Sequence, residues 1–136
     1  MDVFSPAKRS EIMRRVRSKG TTPELLVRRL VTGMGFRYRL NSEKLPGHPD
    51  LVFSRLHKVI LVHGCFWHGH ACKAAALPAS NREYWEAKRL KNVARDRRAR
   101  RELNRAGWKS LVVWECQANR EKTTDRIQNF LRGEYD

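Results

Sequence analysis

Apolar and polar positions change period several times along the chain, and each change marks an element. Within the arginine-rich stretch from Ser5 to Gly20, Ile12, Met13 and Val16 share one helical face. This predicts a short basic helix that ends at the glycine. Leu26, Val27, Leu30, Val31 and Met34 then recur at helical spacing. Thr22 is placed to cap that second helix, Pro23 suits its first turn and Gly35 closes it. Glu24 falls in the first turn, where a carboxylate complements the helix dipole. Phe36 to Leu40 alternates as a half-buried strand does, and Asn41 to Gly47 reads as a polar turn.

Two apolar runs follow. Asp50 leads directly into Leu51-Val52-Phe53, and Ser54 to Lys58 turns back into Val59-Ile60-Leu61-Val62-His63. A hairpin of this kind brings Asp50 and His63 together at one end or edge. Ser80-Asn81-Arg82-Glu83 matches a capping box, opening a long helix with Tyr84, Trp85, Ala87, Leu90, Val93, Ala94 and Leu103 as its buried stripe. Gly107 ends that helix. Trp108 to Trp114 predicts a last strand centred on Leu111, Val112 and Val113, and Thr124 to Leu131 a closing helix. The order of elements implies a single α/β domain over residues 1–136, a mixed sheet flanked by helices, without repeat or linker.

Charge narrows the partner. The chain carries 29 Lys and Arg against 14 Asp and Glu, a net charge of +15. This imbalance favours a polyanion, with nucleic acid ahead of a merely basic surface. The sequence has no apolar run long enough to span a membrane and no secretion signal at its start, so a soluble, intracellular protein is expected. Three cysteines without such a signal suggest metal ligands or free thiols more than disulfides.

The chemistry concentrates just past the run from Val59 to His63. Cys65, His70 and Cys72 place three soft or borderline ligands in one loop. Cys116, which also follows a strand, reaches the same sheet end if the two strands run parallel as neighbours. Zn²⁺ held by three Cys and one His has no open position, so it would be structural. Buried, unrelated thiols are the alternative. His63 and His68 then remain beside Asp50, with Asp96 in the basic helix. Phosphodiester hydrolysis needs a divalent cation, a base for water and charge relief at the leaving oxygen. Asp50 can anchor Mg²⁺, with a main-chain carbonyl near Val62 as a second oxygen donor. Histidines suit the proton transfers, and Asp96 could orient His63. An Asp before a strand is nonetheless commonly a turn residue.

Phe66 and Trp67 are consecutive and cannot both enter one core. An exposed aromatic on a metal-clamped loop can wedge between base pairs, and the competing reading buries Trp67 beneath that loop.

The run His63-Gly64-Cys65-Phe66-Trp67-His68-x-His70-x-Cys72 resembles the very-short-patch repair (Vsr) endonuclease family. So do Pro46-Gly47-x-Pro49-Asp50, Lys91-Asn92-Val93-x-Arg95-Asp96-Arg97-Arg98, and Gly107-Trp108 with Val113-Trp114-Glu115-Cys116. The resemblance implies a restriction-endonuclease-like fold of the broad PD-(D/E)xK class. It further implies nicking of duplex DNA 5′ to the thymine of a T:G mismatch, the product of 5-methylcytosine deamination. The family's metal anchor falls on Asp50, its metal-binding carbonyl on Val62, and its histidines on His63 and His68, with Asp96 as partner carboxylate and Glu24 as a further acid. Zinc ligands fall on Cys65, His70, Cys72 and Cys116. Intercalating aromatics fall on Phe66 and Trp67, with Met13 entering from the other groove and mismatch contacts from Lys88 and Asn92. Residues 1–20 would be a basic helix on the DNA. A monomer at the bacterial nucleoid, in transient contact with mismatch-repair proteins, completes the expectation. Two departures stand out: Val62 replaces a threonine and Gly69 a histidine. Like other Vsr-type sequences, the chain also lacks the acid-x-Lys of the wider superfamily.

Overall fold

The computed structural model describes residues 22–40, 42–65 and 79–133. The expected basic helix, with Met13, and the loop residues Phe66, Trp67, His68, His70 and Cys72 lie outside them. Element order is α1 (Thr22–Gly33), β1 (Arg39–Leu40), β2 (Leu51–Phe53), β3 (Lys58–His63), α2 (Arg82–Arg105), β4 (Lys109–Trp114), a 3₁₀ turn (Glu115–Gln117) and α3 (Glu121–Arg132).

The four strands form one mixed sheet in the order β1-β2-β3-β4. β2 and β3 make the expected antiparallel hairpin, with Leu51 opposite Ile60 and Phe53 opposite Lys58. β4 runs parallel to β3, pairing Ile60 with Leu111 and His63 with Trp114. A parallel neighbour cannot be reached by a tight turn, so the long helix α2 supplies the crossover.

Side chains alternate across a strand, and the apolar content of both sheet faces follows from that. On one face Leu51, Phe53, Ile60 and Val113 pack with Val27 and Val31 of α1 and Ile127, Phe130 and Leu131 of α3. On the other, Val52, Val59 and Leu61 meet Leu103 of α2, with Trp108 and Val112 at the margin. The molecule is therefore three layers deep, helices on sheet on helix.

Lys58 opens β3 with its side chain buried. Its Nζ donates to the Phe130 carbonyl at 2.5 Å and sits 5.3 Å from that residue's ring centroid. A cation at the last turn of a helix meets exposed carbonyls and the negative end of the dipole, which offsets the cost of burying the ammonium.

Four expectations need correction. β1 covers only Arg39–Leu40, not Phe36 to Leu40. Phe36 and Tyr38 pack on the α1 side of the core instead, and the Tyr38 hydroxyl lies 3.1 Å from Thr32 Oγ1. The helix cap at 80–83 is not a capping box. Asn81 is the N-cap, in the left-handed region at φ 56°, without a side-chain cap hydrogen bond. Asparagine tolerates that conformation better than most residues. In α2 the buried residues are Trp85, Ala99 and Leu103, whereas Tyr84 and Leu90 are 57% and 62% exposed. A 24-residue helix is much longer than a six-residue strand, so part of its apolar set has no sheet beneath it. Finally, α3 begins at Glu121, three residues before the expected Thr124.

Candidate active site at the strand tips

Asp50 sits immediately before β2, where the antiparallel pairing of β2 with β3 runs out. Its amide donates to the Ile60 carbonyl at 3.1 Å, one last ladder bond. Beyond that point its side chain takes over, and Oδ2 accepts the Val62 amide at 2.6 Å. Such short, charge-assisted bonds fix a carboxylate's direction. In a strand the N–H and C=O of one residue project to the same edge. The Val62 carbonyl therefore shares the sheet edge that carries the Asp50 carboxylate. Both are hard oxygen donors of the kind Mg²⁺ takes.

His63 follows, and its side chain turns to the opposite face. It is 6% exposed, and the Trp114 ring meets it edge-on, centroids 5.3 Å apart and planes at 74°. That face is the one α2 covers. Leu103 is held beside the sheet, its carbonyl accepting the Trp108 amide at 2.9 Å. One turn back, Ala99 lies against the loop before Asp50. A Cβ placed on Gly47 would stand 3.0 Å from the Ala99 Cβ and 3.6 Å from Leu61. Gly47 has φ +78°, so glycine satisfies both the backbone and the close approach.

Continuing toward its N-terminus, the sheet-facing stripe of α2 passes from Leu103 and Ala99 to half-buried Asp96 and Asn92. One helical turn advances about 5.4 Å and two strand residues about 6.6 Å. On those spacings Asp96, a turn beyond Ala99, is expected level with His63, two residues beyond Leu61. Asn92 accepts from Arg95 at 2.7 Å, and Lys88 Nζ stands 6.0 Å from the Trp85 ring, in the helix half that extends past the strands. Ten basic and four acidic residues on this helix give that overhang a positive field.

Glu24 is placed differently. It is 1% exposed on the α1 face that carries Val27 and Val31, and it pairs with Arg28 at 3.0 Å.

Parallel pairing of His63 with Trp114 sets Cys65 and Cys116 each two residues past the paired strand ends. This meets the condition that the two strands run parallel as neighbours, and neither cysteine is in a disulfide. Two soft donors at one sheet end suit Zn²⁺. Among the described residues, no group of three or more His, Cys, Asp and Glu side chains is close enough to hold a metal ion.

Two features escaped the sequence reading. The sequence places Trp114 at a strand end and in a family motif without a role, yet it packs on His63. Glu115 enters the same motif with no role assigned, yet its Oε1 accepts the Cys65 amide at 2.9 Å. An acid one residue past a strand parallel to β3 was the available signal, legible only once the register was known.

Residues 1–74 match the family model described as DNA mismatch endonuclease Vsr. The chain is 42% identical over 132 residues to the type II nicking enzyme V.NmeAIP of Neisseria meningitidis, covering 96% of this chain and 94% of that protein. It is 47% identical over 131 residues to V.XorIIP of Xanthomonas oryzae, covering 96% of each. Identity to the Escherichia coli DNA mismatch endonuclease Vsr is 42% over 139 residues, covering 98% of this chain and 89% of that one. Among solved structures, the fold is similar to the catalytic domain of homing endonuclease I-Bth0305I, with a TM-score of 0.61 at 23% identity. That likeness covers 86% of this chain and all of the other. The chain belongs to the DNA mismatch endonuclease Vsr family.

Proposed function

We propose that this protein nicks one strand of duplex DNA 5′ to the thymine of a T:G mismatch, starting very-short-patch repair. The observation that carries the reading is the Asp50 carboxylate hydrogen-bonded to the tip of β3, in a chain from a family of DNA endonucleases. Asp50 and the Val62 carbonyl would hold Mg²⁺. Bound there, it would supply charge relief to the scissile phosphate. Because only the carbonyl is used, valine serves at position 62 as well as threonine.

His63 and His68 carry the protons, one taken from the attacking water and one given to the leaving oxygen. Asp96 orients the His63 imidazole, and Trp114 limits how that ring can turn. Glu24, buried on the α1 side of the sheet with Arg28 against it, is the further acid that the family resemblance assigns to the site. Cys65, His70, Cys72 and Cys116 would hold a structural Zn²⁺ that shapes the loop and leaves no position for substrate. Phe66 and Trp67 enter the stack at the mismatch, where unstacking costs least, and Met13 enters from the other groove. Lys88 and Asn92 contact the mismatched pair, and residues 1–20 lie on the DNA as a basic helix within the same single domain. The protein acts as a monomer with a restriction-endonuclease-like fold, in the cytoplasm at the nucleoid, and meets mismatch-repair proteins transiently. No helix among the described residues is long and apolar enough to cross a membrane.

A nicking assay on T:G and matched duplexes, with and without Mg²⁺, tests the reading. Asp50→Ala should abolish nicking while binding to T:G duplex stays within about threefold, and retained nicking would remove the metal anchor. Equal cutting of both duplexes would leave a nuclease without mismatch specificity. Absence of cutting from either would leave a DNA-binding module. Elemental analysis of the purified protein should return one zinc per chain.

A further inference from the structure

The segment from Val62 to Cys65, which is the end of β3 and the two residues past it, is held at both ends by carboxylates that come from opposite neighbours. Asp50, just before β2, takes the Val62 amide at 2.6 Å, and Glu115, just after β4, takes the Cys65 amide at 2.9 Å. Each acid continues a ladder whose partner strand has ended. Within the strand residue 62 faces β2, and two residues past the strand end the Cys65 amide meets Glu115 on the β4 side. Between them lies His63, whose ring is packed by Trp114, the residue before Glu115.

From this geometry we infer that Glu115 is a positioning residue for nicking, acting through the main chain of the β3 tip. It fixes the Gly64–Cys65 peptide, one residue past His63, and through that anchor the attitude of the imidazole and of the Val62 carbonyl. A carboxylate accepts an amide proton more strongly than a neutral oxygen does, and two anchors prevent the tip from pivoting about the Asp50 bond. The inference rests on the proposed role of Asp50 and His63, and it adds a residue to which that role assigns nothing. Glu115 touches neither substrate nor metal in this account, so its loss should alter turnover more than DNA affinity.

The experiment compares Glu115→Met, which keeps the volume without an acceptor, with Glu115→Gln, which keeps an acceptor oxygen. Each is assayed for kcat and KM on T:G duplex over a Mg²⁺ series, with thermal midpoint and bound zinc measured on the same preparations. Glu115→Met should lower kcat about 10- to 100-fold with KM for DNA within about threefold. Glu115→Gln should recover most of that loss, and both should fold and keep the zinc content of the parent. Unchanged kcat in Glu115→Met overturns the proposal. So does a loss that follows zinc release, equal losses in the two variants, or a fall that appears only in KM. If Glu115→Met does not fold, Glu115→Gln against Glu115→Lys decides on the same readouts. Asp50→Asn in parallel separates the failures. Retained nicking there sinks the metal-anchor reading, whereas a dead Asp50→Asn beside a fully active Glu115→Met sinks only the clamp.

Discussion

The two faces of the sheet are built to different ends. The face under α1 and α3 carries the larger apolar cluster, ten buried residues reaching from Val27 to Leu131, with its buried charges, Glu24 and Lys58, held by Arg28 and the Phe130 carbonyl. The face under α2 has a buried apolar cluster of four, Val52, Val59, Leu61 and Leu103, and then stops. Where it stops, the inward stripe of α2 becomes Asp96 and Asn92 and the sheet offers His63. One face thus holds the larger share of buried apolar area, and the other gives way at the strand tips to the ionisable residues of the proposed site. The difference teaches that a site need not be a hole in a core. Here it is the point at which one core was left unfinished.

Substitutions on the two faces should therefore separate stability from turnover. Ile127→Ala, in the larger cluster, should cost about 2 to 5 kcal/mol of unfolding free energy by denaturant titration. Nicking per folded molecule at low temperature should be untouched, and an equal fall in kcat would erase the division. Asp96→Asn, on the unfinished face, should lower kcat about 100-fold, or roughly 2.7 kcal/mol in the barrier. Its denaturation midpoint should barely move, and a wild-type rate would remove Asp96 from the site. Gly47→Ala sharpens the boundary, because it strains a left-handed backbone and pushes on Ala99 where α2 meets the loop before Asp50. About 1 to 2 kcal/mol of stability should go, with kcat reduced as well. A neutral result would mean that α2 is loosely seated. Leu90→Gln, on the exposed overhang, should shift stability by no more than about 0.5 kcal/mol, and a larger loss would show that the overhang is covered.

How far the sequence could be read follows the same division. The β2–β3 hairpin, the β4 strand and the α1 register were all legible, because Val27 and Val31, or Leu51 and Ile60, repeat with the period of their element. The buried stripe of α2 was legible only at Trp85 and Leu103. Periodicity marks a face but does not say how much sheet lies under it, so Tyr84 and Leu90 were wrongly included. Similarly, β1 was overextended because Phe36 and Tyr38 alternate correctly yet satisfy themselves against α1. Within the site, Asp50 was found as the acid before a strand, but its grip on the Val62 amide depends on register. The link between Glu115 and Cys65 crosses two strands that are distant in sequence, and local pattern carries no trace of such a pairing.

The parallel union of β3 with β4 also bears on how the chain is made. Lys58 cannot find Lys109, nor His63 Trp114, until the whole crossover helix has left the ribosome. The tip that holds His63 stays unbraced on that side throughout synthesis. A nascent or truncated chain ending before Glu115 would carry the basic helix without its brace. By the proposed roles, such a fragment would keep its charge for DNA and turn over more slowly.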